Sequence, residues 1–244
     1  MDAIILAGGF AKRMWPLTKN KPKQLLELAG KPMLDYVIDS LDNLDFDRII
    51  VSVNSFFAPQ FQDYLSSNSK DKKIELFIEE STSENEKLGA LGALNLLFKK
   101  KKLTGPVFIA GGDNLSDFDL IKMFELYEIS NSDVIGLFDV ENIELAKLYG
   151  IANLEGNRII DFVEKPSSPP STLAATAYWL LSESGINNFF TYIESGGDRD
   201  AMGNFLTWNV KRNSVLSVSF KGSWYDIGGL ESYSEAQNWL EKRP

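Results

Sequence analysis

The chain has 244 residues, 44% of them hydrophobic, and a net charge of −9 from 34 acidic and 25 basic side chains. That length suits one large α/β domain or two small ones, and the acidic balance argues against general nucleic-acid binding. Cysteine and histidine are both absent, which excludes disulfides, a thiolate nucleophile, zinc–thiolate sites and an imidazole base. Any metal must therefore be held by oxygen ligands, as Mg2+ is. The first apolar run is cut short by Gly8-Gly9, and the longest later one, Leu173–Leu181, falls far short of a membrane span. A soluble, cytoplasmic protein without a signal peptide is expected.

In chain order, Ile4–Ala7 predicts a buried strand that Gly8-Gly9 stops. Glycine lets backbone N–H groups approach a ligand with no Cβ in the way, and a run of such groups makes a concave anion site. Lys12, Arg13, Lys19, Lys21 and Lys23 follow at close intervals, and Pro16 and Pro22 stiffen the loop. A phosphate cradle and a solvated basic loop both fit these residues. No Gly-Lys-Ser/Thr closes a P-loop, and Gly-x-Gly-x-x-Gly is absent.

Met33, Leu34, Val37, Ile38 and Leu41 have helical spacing, Arg48–Val53 predicts a strand ended by Asn54, and Phe57, Phe61, Tyr64 and Leu65 predict a helix before the strand Ile74–Ile78. This alternation predicts a Rossmann-like, mostly parallel α/β sheet with helices on both faces, with ligands beyond the carboxyl ends of the strands. Glu80–Lys87 is a polar loop. Leu88–Leu94 opens a helix that runs into Lys99–Lys102 and carries Gly89 and Gly92. Glycine inside a helix costs about 1 kcal/mol against alanine, so a ligand or another backbone is expected to approach closely there. Val107–Ala110 predicts a strand followed by Gly111-Gly112-Asp113-Asn114, which makes Asp113 a candidate functional carboxylate. Asp117 is placed to cap the next helix, Asp119–Glu128.

After the strand Val134–Val140 the pattern changes to consecutive strands. A hairpin, Ile151–Leu154 and Arg158–Val163 around Glu155-Gly156-Asn157, precedes the loop Ser167–Ser171 and the strand Leu173–Leu181. A small β-rich lobe inserted into the sheet is expected. Helices Ser184–Glu194 and Ala201–Lys211 and the strand Val215–Phe220 lead to Trp224-Tyr225-Asp226-Ile227-Gly228. A last helix, Leu230–Lys242, should turn Leu230, Tyr233, Ala236 and Leu240 inward. Asp226 is either a functional carboxylate or the cap of that helix.

The run Leu6-Ala7-Gly8-Gly9-Phe10-Ala11-Lys12-Arg13-Met14-Trp15-Pro16-Leu17-Thr18, with Lys21-Pro22-Lys23-Gln24-Leu25 and Gly30-Lys31-Pro32-Met33, closely resembles the signature of the sugar-1-phosphate nucleotidyltransferases, or NDP-sugar pyrophosphorylases. Glucose-1-phosphate thymidylyltransferases and mannose-1-phosphate guanylyltransferases are of this kind. The likeness extends from Asp2 to about Ala236 through Leu88-Gly89, Tyr149-Gly150, Glu164-Lys165-Pro166, Ala175-Thr176-Ala177-Tyr178 and Trp224-Tyr225-Asp226-Ile227-Gly228. Ala11 stands where the pattern has glycine, which puts a backbone of positive φ in doubt, and Lys12 stands where it has threonine.

The resemblance implies one nucleotidyltransferase domain over residues 1–244, with a nucleotide-binding half to about residue 140 and a sugar-phosphate-binding half after it. A chain ending at Pro244 would have no room for the C-terminal β-helix domain of some relatives. Nucleotide contacts are implied at Leu6, Ala7, Gly8, Gly9, Ala11, Lys12, Glu80, Leu88 and Gly89. Arg13 and Lys23 are implied as catalytic, Asp113 and Asp226 as ligands of Mg2+, and Gly150, Glu164, Lys165 and Tyr178 as sugar-phosphate contacts.

The implied reaction joins an NTP and a hexose 1-phosphate to give NDP-sugar and pyrophosphate. A phosphate oxygen is already a competent nucleophile, so catalysis is mostly positioning and charge stabilisation. The resemblance also admits a catalytically silent regulatory relative that binds NDP-sugar and partners an active enzyme; the presence of Arg13, Lys23, Asp113 and Asp226 together favours the enzyme. Expected partners are the two substrates, with no nucleic acid and no membrane, and a homo-oligomer is left open. In thymidylyl- and uridylyltransferases a glutamine near the end of the third strand reads the pyrimidine, and here Glu79 and Glu80 stand at that place. An ionised carboxylate only accepts hydrogen bonds, which suits guanine N1–H and its exocyclic amine. If both carboxylates face solvent, dTTP or UTP with glucose 1-phosphate is as well supported as GTP with mannose 1-phosphate.

Overall fold

The computed structural model describes residues 1–67 and 74–243. Its elements in chain order are β1 (Asp2–Leu6), β2 (Glu27–Leu28), β3 (Lys31–Pro32), α1 (Met33–Asp39), β4 (Arg48–Asn54), α2 (Ala58–Ser67), β5 (Ile74–Glu79), α3 (Ala90–Lys101), β6 (Val107–Gly111), β7 (Asn114–Ser116) and α4 (Ile121–Ser130). There follow β8 (Asp133–Asp139), α5 (Ile143–Ala146), β9 (Gly150–Glu155), β10 (Arg158–Glu164), β11 (Leu173–Leu181), α6 (Glu183–Glu194), α7 (Met202–Asn209), β12 (Val215–Phe220), β13 (Trp224–Asp226) and α8 (Leu230–Glu241). Among the described residues, no helix is long and apolar enough to cross a membrane. The residues group into two compact units that interleave along the chain.

The first unit comprises residues 1–87, 110–118 and 222–244. Its strands run in the order β5-β4-β1 and are parallel, with Ile4 opposite Ile50 and Ile50 opposite Glu75. Ile4, Ile5, Ile50 and Val51 are wholly buried, as expected of parallel strands covered on both faces. Two short antiparallel ribbons complete this unit, β2 with β3 and β7 with β13. The second ribbon was not legible as strand, because each of its members is three residues long and carries polar side chains. Met14, Leu28, Met33, Leu115, Ile227 and Ala236 form one buried cluster that ties the first loop, α1, β7 and α8 together. Leu230 is not part of it: at the first position of α8 it is exposed, and Ala236 and Leu240 carry the inward face.

The second unit comprises residues 88–109 and 119–221. Its strand order is β6-β11-β8-β12-β10-β9. Only β8 and β12 pair in parallel; β11 runs antiparallel to both β6 and β8, and β9 and β10 form the expected hairpin. A buried carboxylate organises the start of α6. Asp133 accepts hydrogen bonds from Ser182 N (2.9 Å), Ser182 Oγ (2.8 Å) and Asn209 Nδ2 (2.9 Å), while Ser182 Oγ caps α6 by accepting from Gly185 N. Burial drives the Asp133 carboxyl above its ordinary pKa, and these donors oppose the shift. In the same unit Phe189 packs edge to face on both Phe98 and Phe205, whereas Phe190 and Trp208 are only half-buried.

Of the two glycines at the start of α3, Gly89 answers to a second backbone. Gly89 has φ +71°, and a Cβ there would collide with the Arg199 carbonyl oxygen and Asp200 Cα. Ala90 N donates to Asp200 O (2.8 Å) and Leu91 N to Arg199 O (3.1 Å). The loop before α7 thus takes orphan N–H groups of the first turn of α3. Gly89→Ala should cost about 1–3 kcal/mol from backbone strain alone, with the collision added. Thermal unfolding of that variant should show a clear fall in Tm. Gly9→Ala, where nothing lies within 4 Å of the new methyl, should unfold close to wild type.

Candidate active site

The loop after β1 is held open from beneath. Asn54 Nδ2 donates to Gly8 O (2.9 Å), and Ala7 N donates to Ser52 O (2.8 Å). Ala11 adopts φ 48°, ψ 45°, so the left-handed backbone is kept although glycine is not. Its carbonyl accepts from both Met14 N (2.9 Å) and Thr18 Oγ1 (2.8 Å). Two bonds to one carbonyl hold a conformation that alanine alone disfavours. Among the described residues, no protein acceptor takes the N–H groups of Gly9, Phe10, Ala11 and Lys12. Four consecutive free donors flanked by Lys12 and Arg13 suit an anion. Arg13 is exposed and folds back over Gly228, where a Cβ would stand 3.1 Å from its Nη2.

Lys23 joins three distant segments. Its side chain is buried, and Nζ donates to Asp113 Oδ2 (2.6 Å) and to Ile227 O (2.7 Å). The Asp113 carboxyl is held below its ordinary pKa. Burial pushes it up, but the Lys23 charge and hydrogen bonds from Lys23 and Asn114 outweigh that. Asp113 and Asp226 come together through the β7–β13 ribbon, in which Asp226 lies opposite Asn114. Asn114 Nδ2 donates to Asp113 Oδ1 (3.0 Å) and Asp226 Oδ1 (3.3 Å). Neither aspartate nor Asp117 is a helix cap. Asp226 lies in β13, Gly229 is the cap residue of α8, and Asp117 Oδ1 accepts from Ser223 N (2.7 Å) while its Oδ2 pairs with Arg243 (3.3 Å). Gln24 went unnoticed in the sequence. Its Oε1 is buried without a partner, and Cγ lies 3.0 Å from where a Gly112 Cβ would stand; its place beside Lys23 was the available signal.

The carboxylates at the end of β5 differ. Glu80 is exposed, whereas Glu79 is buried with its carboxylate against Gly8, 2.6 Å from where a Cβ would be. Burial raises the Glu79 pKa, and a hydrogen bond from Ser52 Oγ (2.8 Å) partly offsets the rise.

In the second unit, Gly150 lies opposite Glu164 across the β9–β10 pair. A Cβ on Gly150 or on Gly203 of α7 would strike Phe162 or the Glu164 carboxylate, so two glycines make the space that Glu164 occupies. Burial raises the Glu164 pKa, and the Lys165 charge opposes it. Lys165 is exposed and has φ 44°, a left-handed backbone held by its N–H donating to Tyr149 O (3.1 Å). Tyr178 departs from expectation. Its side chain is wholly buried and its ring stacks on Phe108 at 6.3 Å, because the last residues of β11 face the core on both sides. Its side chain is placed in the core. Leu88 and Gly89 are half-buried at the start of α3.

The model of the nucleotidyl transferase family matches residues 2–243. A putative mannose-1-phosphate guanyltransferase of Sulfolobus acidocaldarius is 31% identical over 233 residues, 96% of this chain and 61% of that protein. Mannose-1-phosphate guanylyltransferase 1 of Arabidopsis thaliana is 30% identical over 240 residues, 96% of this chain and 63% of that protein. The chain therefore spans about three fifths of the length of these relatives. Among solved structures, a putative glucose-1-phosphate thymidylyltransferase from Bacillus anthracis in complex with a sucrose superposes with a TM-score of 0.86 at 23% identity, over 100% of this chain and 96% of that one. A UDP-glucose pyrophosphorylase complexed with UDP-glucose gives 0.83 at 24%, over 99% of each. The fold is thus the mixed α/β, Rossmann-like one, and the chain belongs to the nucleotidyl transferase family.

Proposed function

We propose that the chain condenses an NTP with a hexose 1-phosphate to give NDP-sugar and pyrophosphate. The observation that carries this reading is the meeting of Lys23, Asp113 and the Asp226-Ile227 turn, with four unpaired N–H groups in the loop after β1 of the same unit. In this reading the N–H groups and Lys12 hold the triphosphate, Arg13 stabilises the departing pyrophosphate, and Lys23 serves the α-phosphate. Lys165 and Glu164 hold the sugar phosphate and the sugar hydroxyls. The oxygen of that phosphate attacks phosphorus, and the bond to pyrophosphate breaks on the opposite side. The lack of cysteine agrees with a cytoplasmic setting.

The residues present also fit Mg2+. Asp113 and Asp226 are drawn together by one amide, all donors are oxygens, and no group of three or more ligating side chains occurs among the described residues. Two carboxylates completed by substrate phosphates are the usual setting for Mg2+. When bound, the ion supplies neutralisation of charge on the transferring phosphates. Asp226→Asn should fold normally yet lose about 100-fold or more in turnover. Steady-state rates unchanged at saturating Mg2+ would remove Asp226 from this role.

The division of labour is testable in the second unit. Gly203→Ala drives a methyl into Glu164, so it should raise KM for the sugar phosphate about tenfold or more while leaving KM for the NTP near wild type. Lys165→Ala should do the same. A rise confined to the NTP would reverse the assignment.

For the base, Glu79 is the carboxylate that lies inside, and GTP with mannose 1-phosphate is the preferred pair. The two guanylyltransferase relatives support it. An ionised Glu79 accepts from both guanine donors, whereas an amide accepts and donates as a pyrimidine edge requires. Glu79→Gln should therefore shift kcat/KM about tenfold or more from GTP towards dTTP and UTP. The same variant carries a pH signature. A carboxyl whose folded pKa is raised stabilises the fold less as pH climbs from the ordinary carboxylate range through that raised value. Glu79→Gln should thus match wild type in Tm near pH 4 and exceed it at pH 8. An unchanged ranking of GTP, dTTP, UTP and CTP would dismiss Glu79 as the reader of the base.

A further inference from the structure

The pair Asp113 and Asp226 poses an electrostatic problem before any ion arrives, since two neighbouring carboxylates repel. The structure answers it with one amide. An indole N–H can only donate, and Trp224 Nε1 donates to Asn114 Oδ1 at 2.8 Å. That bond fixes which end of the amide is oxygen, so Nδ2 must face the other way. Its two hydrogens meet Asp113 Oδ1 (3.0 Å) and Asp226 Oδ1 (3.3 Å). Trp224 and Asp226 sit two residues apart on β13, on the same face of the strand, and Asn114 lies directly opposite Asp226. The chain Trp224–Asn114–Asp113/Asp226 is thus built from one ribbon register, and Lys23 restrains the second oxygen of Asp113.

We propose that Asn114, oriented by the Trp224 indole, is a positioning residue that holds the two aspartates in one metal-receiving arrangement. The proposal rests on the metal reading above. Each carboxylate gives one oxygen to the amide, so an ion would meet a preset pair. Trp224 acts only through Asn114. A tryptophan that merely filled space would act independently of it.

Mn2+ is the probe, counted by loss of the free-ion EPR signal on titration into the protein, with circular dichroism and Tm as folding controls. Asn114→Ala should weaken Mn2+ binding about tenfold or more, and its turnover should recover at high Mg2+. Trp224→Phe should show a smaller loss, of a few fold, and the double variant should bind within about twofold of Asn114→Ala alone. Losses that multiply in the double variant overturn the proposal. So does an Asn114→Ala variant that binds Mn2+ like wild type while Asp113→Asn does not. Equal Mn2+ binding by wild type and Asp113→Asn would remove the metal reading itself, and the proposal with it. If Asn114→Ala fails to fold, Trp224→Phe decides: unchanged Mn2+ affinity overturns the proposal, and a few-fold loss at unchanged Tm supports it.

Discussion

A single buried ammonium sets the terms for the first unit. Lys23 bonds to a carboxylate that follows β6 and to a carbonyl that precedes α8, so segments near residues 23, 113 and 227 must meet. A charge buried this far is costly unless paired, and this one has two acceptors. The apolar cluster around Met14, Leu115 and Ile227 lies along the same three segments. Hydrophobic burial gives no direction to the approach, whereas the two short bonds do. The register of the β7–β13 ribbon follows, and with it the placing of Asp226 opposite Asn114.

Backbone conformation is the second constraint, and it shows how a fold outlasts a change in its signature. Glycine is the default where φ is positive, yet alanine takes that conformation at position 11 and lysine at position 165. In both places a hydrogen bond secures what the residue does not favour: the Ala11 carbonyl accepts two donors, and the Lys165 N–H reaches Tyr149 O. Both belong to segments singled out for binding phosphate. Strain of this kind persists where the surroundings over-determine it. The doubt that Ala11 raised about the loop was a doubt about an isolated residue, and Thr18, seven positions on, resolves it.

Long periodic elements were legible from residue order alone. The inward face of α1 and the hairpin of β9 and β10 emerged close to their expected places. Three features were hidden, each for its own reason. β7 and β13 are too short to show a period of two, and they become strands only because each is the other's partner. Gly89 announced a close approach, but nothing nearby in sequence names Arg199 and Asp200 as what approaches. Tyr178 sits in a strand that is apolar at every residue from Tyr178 to Leu181, so alternation could not say which of its faces met the core. In the site, the signature loop, Asp113 and Asp226 were named from sequence. Gln24, Gly203 and Asn114 needed the geometry, since each matters through a neighbour distant in the chain.

Among the described residues of the first unit, a few buried polar groups are left without a full set of partners. Glu79 lies buried against Gly8 with its pKa raised by that burial. Gln24 Oε1 and Ser81 Oγ are buried with no partner. A core selected for stability alone would replace such groups, because an unpaired buried polar atom costs about 1–3 kcal/mol. Asn54 by contrast is fully used, donating to Gly8 O while its Oδ1 accepts from Phe57 N. Local rules of packing are broken most often where a site needs groups that the fold alone does not. An unmatched acceptor, an unmatched hydroxyl and a carboxylate short of donors, beside four unpaired N–H groups, describe the complement of a ligand.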